Sequence, residues 1–249
     1  MALDPIPSAA SGFALQVERF HASLISAAEP EAGLGGKLLY AGPLNGEARA
    51  IIVAANIAGA ATLTASADAE LGKQAIRDGV VDFLVTSLDE ALRILKNEIR
   101  KRETVAVCVA LAPETVEQEM RERGVRPDLT RPIEIAAPTL LAWRVAFSPA
   151  LWLPRLDCVA LACLEDNLGA PGLDSETRDS ARRWLRLAPR YLGRLAQNLR
   201  VLRCSSETAA RFRKQIQEQV EGGEIGIAVE LWISRDERCE SYCFTPPMS

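Results

Sequence analysis

Leu38-Leu39-Tyr40-Ala41-Gly42-Pro43-Leu44-Asn45-Gly46-Glu47 opens a stretch, running to Leu129, in which short apolar runs alternate with amphipathic helical ones. Lys37 to Ala41 predicts an apolar strand, and Glu47 to Ala58, rich in alanine and isoleucine, predicts a helix. Ala61 to Ala67 alternates in the strand manner. Asp68 caps a helix over Ala69 to Asp78 that Gly79 ends, because a carboxylate accepts the orphan N–H groups of a first turn. Asp82 to Thr86 is a third strand. Ser87, with Glu90 three positions on, is a capping box for a helix over Leu88 to Arg102. Thr104 to Leu111 is continuously apolar, as a strand buried on both faces must be. Pro113 starts a helix that Gly124 closes, and Val125 to Leu129 begins a fifth strand.

Strands and helices alternating at such short spacing imply right-handed βαβ units, so the expected fold is α/β, a Rossmann-like parallel sheet with flanking helices. Ligands of such sheets bind beyond the carboxyl ends of the strands. Gly42 to Gly46, Ser66 to Asp68, Thr86-Ser87 and Ala110 to Pro113 are therefore the positions to inspect. The first of these turns is poor in glycine for a site that must let backbone approach phosphate oxygens.

Outside this stretch the pattern changes. Gly12 to Ala28 predicts a helix and Pro30 to Gly36 a linker. From Ile133 to Leu164 the prolines, Trp143, Trp152 and the alternating run Leu156 to Leu164 suggest short antiparallel strands. Asp174 to Leu195 is a long helix with a break expected near Ala188, before Pro189. Leu199 to Cys204 is a strand, Ser205 or Ser206 caps a helix to Val220, and Ile225 to Ile233 returns as a strand after Gly222-Gly223. The expected organisation is an N-terminal helix and linker over 1–36, a Rossmann-like domain over 37–132, and a C-terminal α+β elaboration or small domain over 133–249.

Composition narrows the function classes. Across 249 residues the hydrophobic fraction is 48% and the formal net charge is -4, which supports a sizeable core and argues against nucleic-acid binding. The arginines from Arg182 to Arg194 are interleaved with leucines and read as a solvated helix face. No apolar run approaches the roughly 18 residues of a membrane span, and the start lacks the pattern of a signal peptide, so a cytoplasmic location is expected. Of the six cysteines, Cys108, Cys158 and Cys163 lie in apolar runs and read as buried hydrophobes. Cys239 and Cys243 lack further ligands nearby, so no metal site is expected. His21, the single histidine, lies in an amphipathic helical run and reads as a surface or half-buried structural residue.

Three further segments carry a resemblance. Arg123-Gly124-Val125-Arg126-Pro127-Asp128-Leu129, Asp89-Glu90-Ala91-Leu92 and Ala58-Gly59-Ala60, in this order and spacing, resemble the Rossmann-like, NAD-binding region of the urocanase (urocanate hydratase) family. That family holds NAD tightly and uses it as an electrophile to add water across urocanate, in histidine degradation. The resemblance implies NAD as the cofactor and Gly42, Asn45, Gly46, Glu47, Ser66, Asp68 and Ser87 as the residues around it. The departures are specific. The family's turn is rich in glycine, approximately Gly-Leu-Gly-Gly-Met-Gly-Gly-Ala-Gln, whereas here Asn45, Ala48 and Arg49 stand at glycine positions and Pro43 is inserted. Ser66 stands where the family places an acid, Leu111-Ala112-Pro113 replaces Gly-Asn-Ala, and Thr130-Arg131-Pro132 replaces Thr-Asp-Gln-Thr-Ser-Ala-His-Asp. A side chain at a glycine position crowds a pyrophosphate. The expectation is a divergent urocanase-like protein without hydratase activity, binding a small anionic or nucleotide ligand at Gly42 to Glu47. Alternatives are an active hydratase-type lyase, an enzyme of altered chemistry using Asp68, Ser87 or Arg49, and a partner subunit or homo-oligomer with Trp143 and Trp152 at its interface.

Overall fold

A computed structural model describes residues 8–26, 34–134, 139–165, 175–193, 197–235 and 238–247. The chain divides into two compact units, Arg19–Ile135 and Met1–Glu18 with Ala136–Ser249. The first helix, α1, spans Ser8–Ser26. The predicted helix end at Ala27-Ala28 and the linker from Pro30 to Gly33 lie outside the described residues.

In the Arg19–Ile135 unit, β1 (Leu38–Pro43), α2 (Gly46–Ala58), β2 (Ala61–Ala65), α3 (Ala69–Arg77), β3 (Phe83–Val85), α4 (Leu88–Lys101), β4 (Ala106–Val109) and α5 (Pro113–Glu122) follow in order. The four strands are parallel in the order β1-β2-β4-β3. This is the expected Rossmann-like α/β layer. Local chemistry accounts for the helix starts. Asn45, Asp68 and Ser87 cap α2, α3 and α4 with their side chains, and α5 begins with Pro113. Strand β2 is buried along its whole length, Thr62 and Thr64 included. The predicted fifth strand shrinks to one bridge, Leu39 with Leu129. Its place at the free edge of β1 is secured by Asp128, whose Oδ2 accepts from Leu38 N at 2.8 Å.

Right-handed crossovers fix the layers. The connections β1→β2 and β2→β3 run one way across the sheet, while β3→β4 and the return to Leu129 run the other. Helices α4 and α5 therefore share one face. There Leu88, Ala91, Leu95, Val116 and Met120 pack on Leu38, Leu63, Val107 and Val109.

The second unit holds β5 (Leu140–Val145), α6 (Pro149–Glu165), α7 (Ser175–Leu192), β6 (Leu199–Arg203), α8 (Ser206–Glu221), β7 (Val229–Arg235) and β8 (Arg238–Phe244). Its strands form an antiparallel sheet in the order β6-β5-β7-β8, the expected C-terminal α+β elaboration. Several details differ from the sequence reading. Only one strand lies between Ile133 and Leu164 in the described residues, and Pro149 to Glu165 is helical. Its buried positions, Leu153, Leu156, Ala160, Cys163 and Leu164, recur at helical spacing. The assigned helix α7 continues through Pro189 to Leu192, the proline falling in the last turn. The returning strand starts at Val229 rather than Ile225, and it is followed by β8, which the sequence reading missed. Cys158 is exposed, not buried, because it lies on the outer face of α6, whereas Cys108 and Cys163 are buried. His21 is also buried.

No helix among the described residues is long and apolar enough to cross a membrane.

Candidate functional site

The carboxyl ends of the parallel strands line up in one row. Pro43 pairs with Ala65, Ala65 with Val109, and Val109 with Val85. All four turns singled out from the sequence therefore open on the same edge of the sheet. Strands β2 and β4 are neighbours whose chains leave toward opposite faces, which makes the turns at Ser66–Asp68 and Ala110–Pro113 the switch point of this topology. The β1 turn adjoins it, since Leu44 N donates to Ala65 O at 2.9 Å. Ser87 lies three strands from β1, roughly 14 Å away at about 4.8 Å per strand, so it is not part of that turn.

Strand β1 carries an irregularity between Tyr40 and Gly42, and Gly42 takes φ +81°. A side chain there would be strained. The carbonyl of Gly42 accepts from the buried Thr64 hydroxyl at 2.8 Å, which holds the turn onto β2. Asn45 then starts α2, its Oδ1 accepting from Ala48 N at 2.8 Å. Gly46 has open space where a Cβ would stand, so its glycine is not required by the fold. Asn45→Ala should cost about 1 kcal/mol of stability. Urea unfolding checks this, with Asn45→Asp expected to restore most of the loss.

The other candidates are engaged in caps. Asp68 accepts from Glu70 N at 2.8 Å and Leu71 N at 3.4 Å, and Ser66 Oγ bonds the backbone of Asp68. Ser87 accepts from Glu90 N at 3.3 Å, while the Glu90 carboxylate accepts from Thr86 N, one residue before the N-cap position that the capping box expects. Arg49 pairs with Asp78. Burial pushes the Cys108 thiol up to about 11, so it is not an ionised nucleophile at neutral pH. Tyr40, partly buried and hydrogen-bonded to Glu117, holds its proton more firmly than a free phenol.

Sequence reading missed Arg131. Its guanidinium lies 3.4 Å from where a Cβ on Gly42 would stand, and it pairs with Glu47 at 2.8 Å. Arg131 was visible only as part of the Thr130-Arg131-Pro132 departure, and its partners lie far away in the chain. The bridge at Leu129 is what brings it to the β1 turn.

A dinucleotide does not fit this turn as it fits a glycine-rich loop. Leu44 N and Asn45 N are bonded to Ala65 O and Pro43 O, Ala48 N is capped by Asn45, and Arg131 with Glu47 stands beside Gly42. The Asp68 carboxylate, at the end of the turn after β2, is committed to the first turn of α3. What remains is the pair of N–H groups of Gly46 and Glu47 in the first turn of α2, unbonded among the described residues, together with Arg131. That set suits one anionic group. No cluster of His, Cys, Asp and Glu suited to a metal occurs among the described residues. An open groove lined by Asp82, Phe83, Arg93, Asn97 and Thr104 lies at the amino ends of β3 and β4, the wrong end of the sheet for the ligands of such folds.

Comparisons with known proteins agree with this fold. The profile of the urocanase Rossmann-like domain matches residues 21–132. S-methyl thiourocanate hydratase of Variovorax sp. is 29% identical over 115 residues, which cover 45% of this chain and 21% of the relative. The match thus spans about a fifth of the relative's own length. Residues 21–132, a little under half of the chain, are thus similar to the Rossmann-like domain of the urocanases.

Proposed function

We propose that this chain is a ligand-binding relative of the urocanases in which the β1–α2 turn takes one anionic group, a terminal phosphate or carboxylate, and in which NAD-dependent hydration has been lost. The observation that carries the reading is Arg131 beside Gly42 at the start of α2. A positive side chain and a helix N-terminus converge there on a turn whose other N–H groups are already used. Urocanate, which combines one carboxylate with an imidazole, is a ligand of this class and would place the protein near histidine degradation, as a binder or regulator.

Thermal unfolding of the full chain tests this with inorganic phosphate, AMP, urocanate and NAD. A ligand at 100 times its dissociation constant adds about 2.7 kcal/mol. AMP or urocanate should raise Tm, and NAD should do no better than AMP. Arg131→Gln should abolish the shift, and Glu47→Gln should enlarge it by removing the competing carboxylate. If no anion at millimolar concentration moves Tm, the reading fails.

A second reading is an active hydratase-type lyase, favoured by the similarity to the Variovorax S-methyl thiourocanate hydratase. Co-purified NAD together with loss of urocanate absorbance on incubation would establish it in place of the first.

A further inference from the structure

We propose that the chain forms a two-fold dimer by antiparallel pairing of β8 with β8 of a second copy, centred on Ser241. This is independent of the anion site. The two outer strands of the second unit's sheet are treated differently. Strand β6 is flanked by α7, and the Trp184 indole donates to Val201 O at 2.6 Å, so a backbone acceptor of that strand is satisfied by a side chain. Strand β8, at the other side, pairs with β7 in an unbroken register from Val229–Phe244 to Arg235–Arg238 and has no further strand beyond it among the described residues. Of the devices that keep exposed edges from pairing, its seven residues, Arg238–Phe244, have no proline, no lysine and no bulge, and its two charges, Arg238 and Glu240, are of opposite sign. Strand β3, an edge of the other sheet, is only three residues long.

The pattern of β8 selects a second copy and a register. A two-fold axis normal to the sheet sets one residue opposite its own copy. Full overlap of Arg238–Phe244 places Ser241, the midpoint, on the axis. No like charges then face each other. Glu240 stands opposite Tyr242, whose hydroxyl receives a hydrogen bond from Arg213 at 2.9 Å and whose ring lies under the Arg213 guanidinium. Arg238 stands opposite Phe244. Centring on Glu240 instead would oppose two carboxylates, which is unfavourable. In the Ser241 register, Cys239 of each copy stands directly opposite Cys243 of the other. Both thiols are exposed, and opposed residues of antiparallel strands have Cα atoms about 4.5–5.5 Å apart, within disulfide range. Within one copy they are roughly 13 Å apart at about 3.3 Å per residue, too far to bridge.

Disulfide trapping tests the register. Cys158 is exposed as well, so Cys158→Ser is the parent. Diamide takes two hydrogens from each thiol pair, forming the disulfide while its diazene is reduced to the hydrazine. The parent should yield a cross-linked dimer on a non-reducing gel. Adding Cys239→Ser or Cys243→Ser should lower that yield at least tenfold in each case. A mixture of the two variants should recover about half the parent's level, because random pairing makes half of the dimers mixed. Ser241→Lys, which opposes two cations on the axis, should halve the mass in sedimentation equilibrium with an unchanged circular dichroism spectrum. Cross-linking by either single variant as strong as in the mixture would overturn the proposal. So would a parent chain that sediments as a monomer, or a Ser241→Lys chain that remains a dimer.

Discussion

Trp143→Ala is expected to remove about 3–5 kcal/mol from the unit built around Ala136–Ser249. Trp143 sits on β5, an inner strand of the order β6-β5-β7-β8, and it is fully buried. Its cross-strand partners are Arg200 and Leu231, and its ring meets Phe212 of α8 at 5.0 Å and 44°. Truncation would empty the space between sheet and helix, and the rigid strands on either side limit how far that space can collapse. Trp152 provides the control. It lies near the start of α6, partly exposed, with the Arg155 guanidinium 4.9 Å over its ring. Trp152→Ala should cost no more than about 1 kcal/mol. Calorimetric unfolding of both variants decides the matter. Equal losses would mean that Trp143 is not the packing centre of this sheet. The contrast also bears on the interface once expected of both tryptophans, since Trp143 has no surface to offer a partner.

The parallel layer was legible because each of its elements carries its own punctuation. Asp68, Ser87 and Pro113 mark helix starts, and the apolar runs between them are too short for further helices and read as strands. The antiparallel layer was harder. In α6 the prolines pointed to loops and edges, yet Pro149 opens the helix, where its missing N–H costs nothing, and Pro154 gives up only one internal bond. In β8 the run Arg-Cys-Glu-Ser-Tyr-Cys-Phe has no apolar face to betray it, because an edge strand is half solvated on both sides. At the candidate site, Gly42 and Asn45 were legible as turn and cap residues. Arg131 was not, because its meaning depends on a contact made only after the chain has crossed the sheet.

Arg200→Met is expected to cost about 3–5 kcal/mol at neutral pH and distinctly less at pH 5. Asp157 of α6 and Arg200 of β6 pair at 3.2 Å with side chains only 15% and 12% exposed. Burial pushes the Asp157 carboxyl up to about 6, against the opposing pull of Arg200 and the nearby Trp143 indole. That indole N–H makes no well-formed hydrogen bond, and Asp157 Oδ1 has no partner among the described residues. The sign of the pH effect follows from linkage. The folded pKa lies above the ordinary 3.8, so between about pH 4 and pH 6 the folded chain binds more protons than the unfolded one. This group's contribution, on the order of 2–3 kcal/mol, is present in full below pH 4 and is lost as pH rises through 6. Removing the guanidinium strips the ionised carboxylate of its main compensation, raising the folded pKa further and extending the sloping region toward neutrality. At pH 5 the carboxyl is largely protonated and needs the cation less. Urea unfolding at pH 5 and pH 8 measures the difference, and Asp157→Asn combined with Arg200→Met should recover most of the loss at pH 8. Equal losses at the two pH values would show that Arg200 acts through packing of its stem rather than through its charge on Asp157.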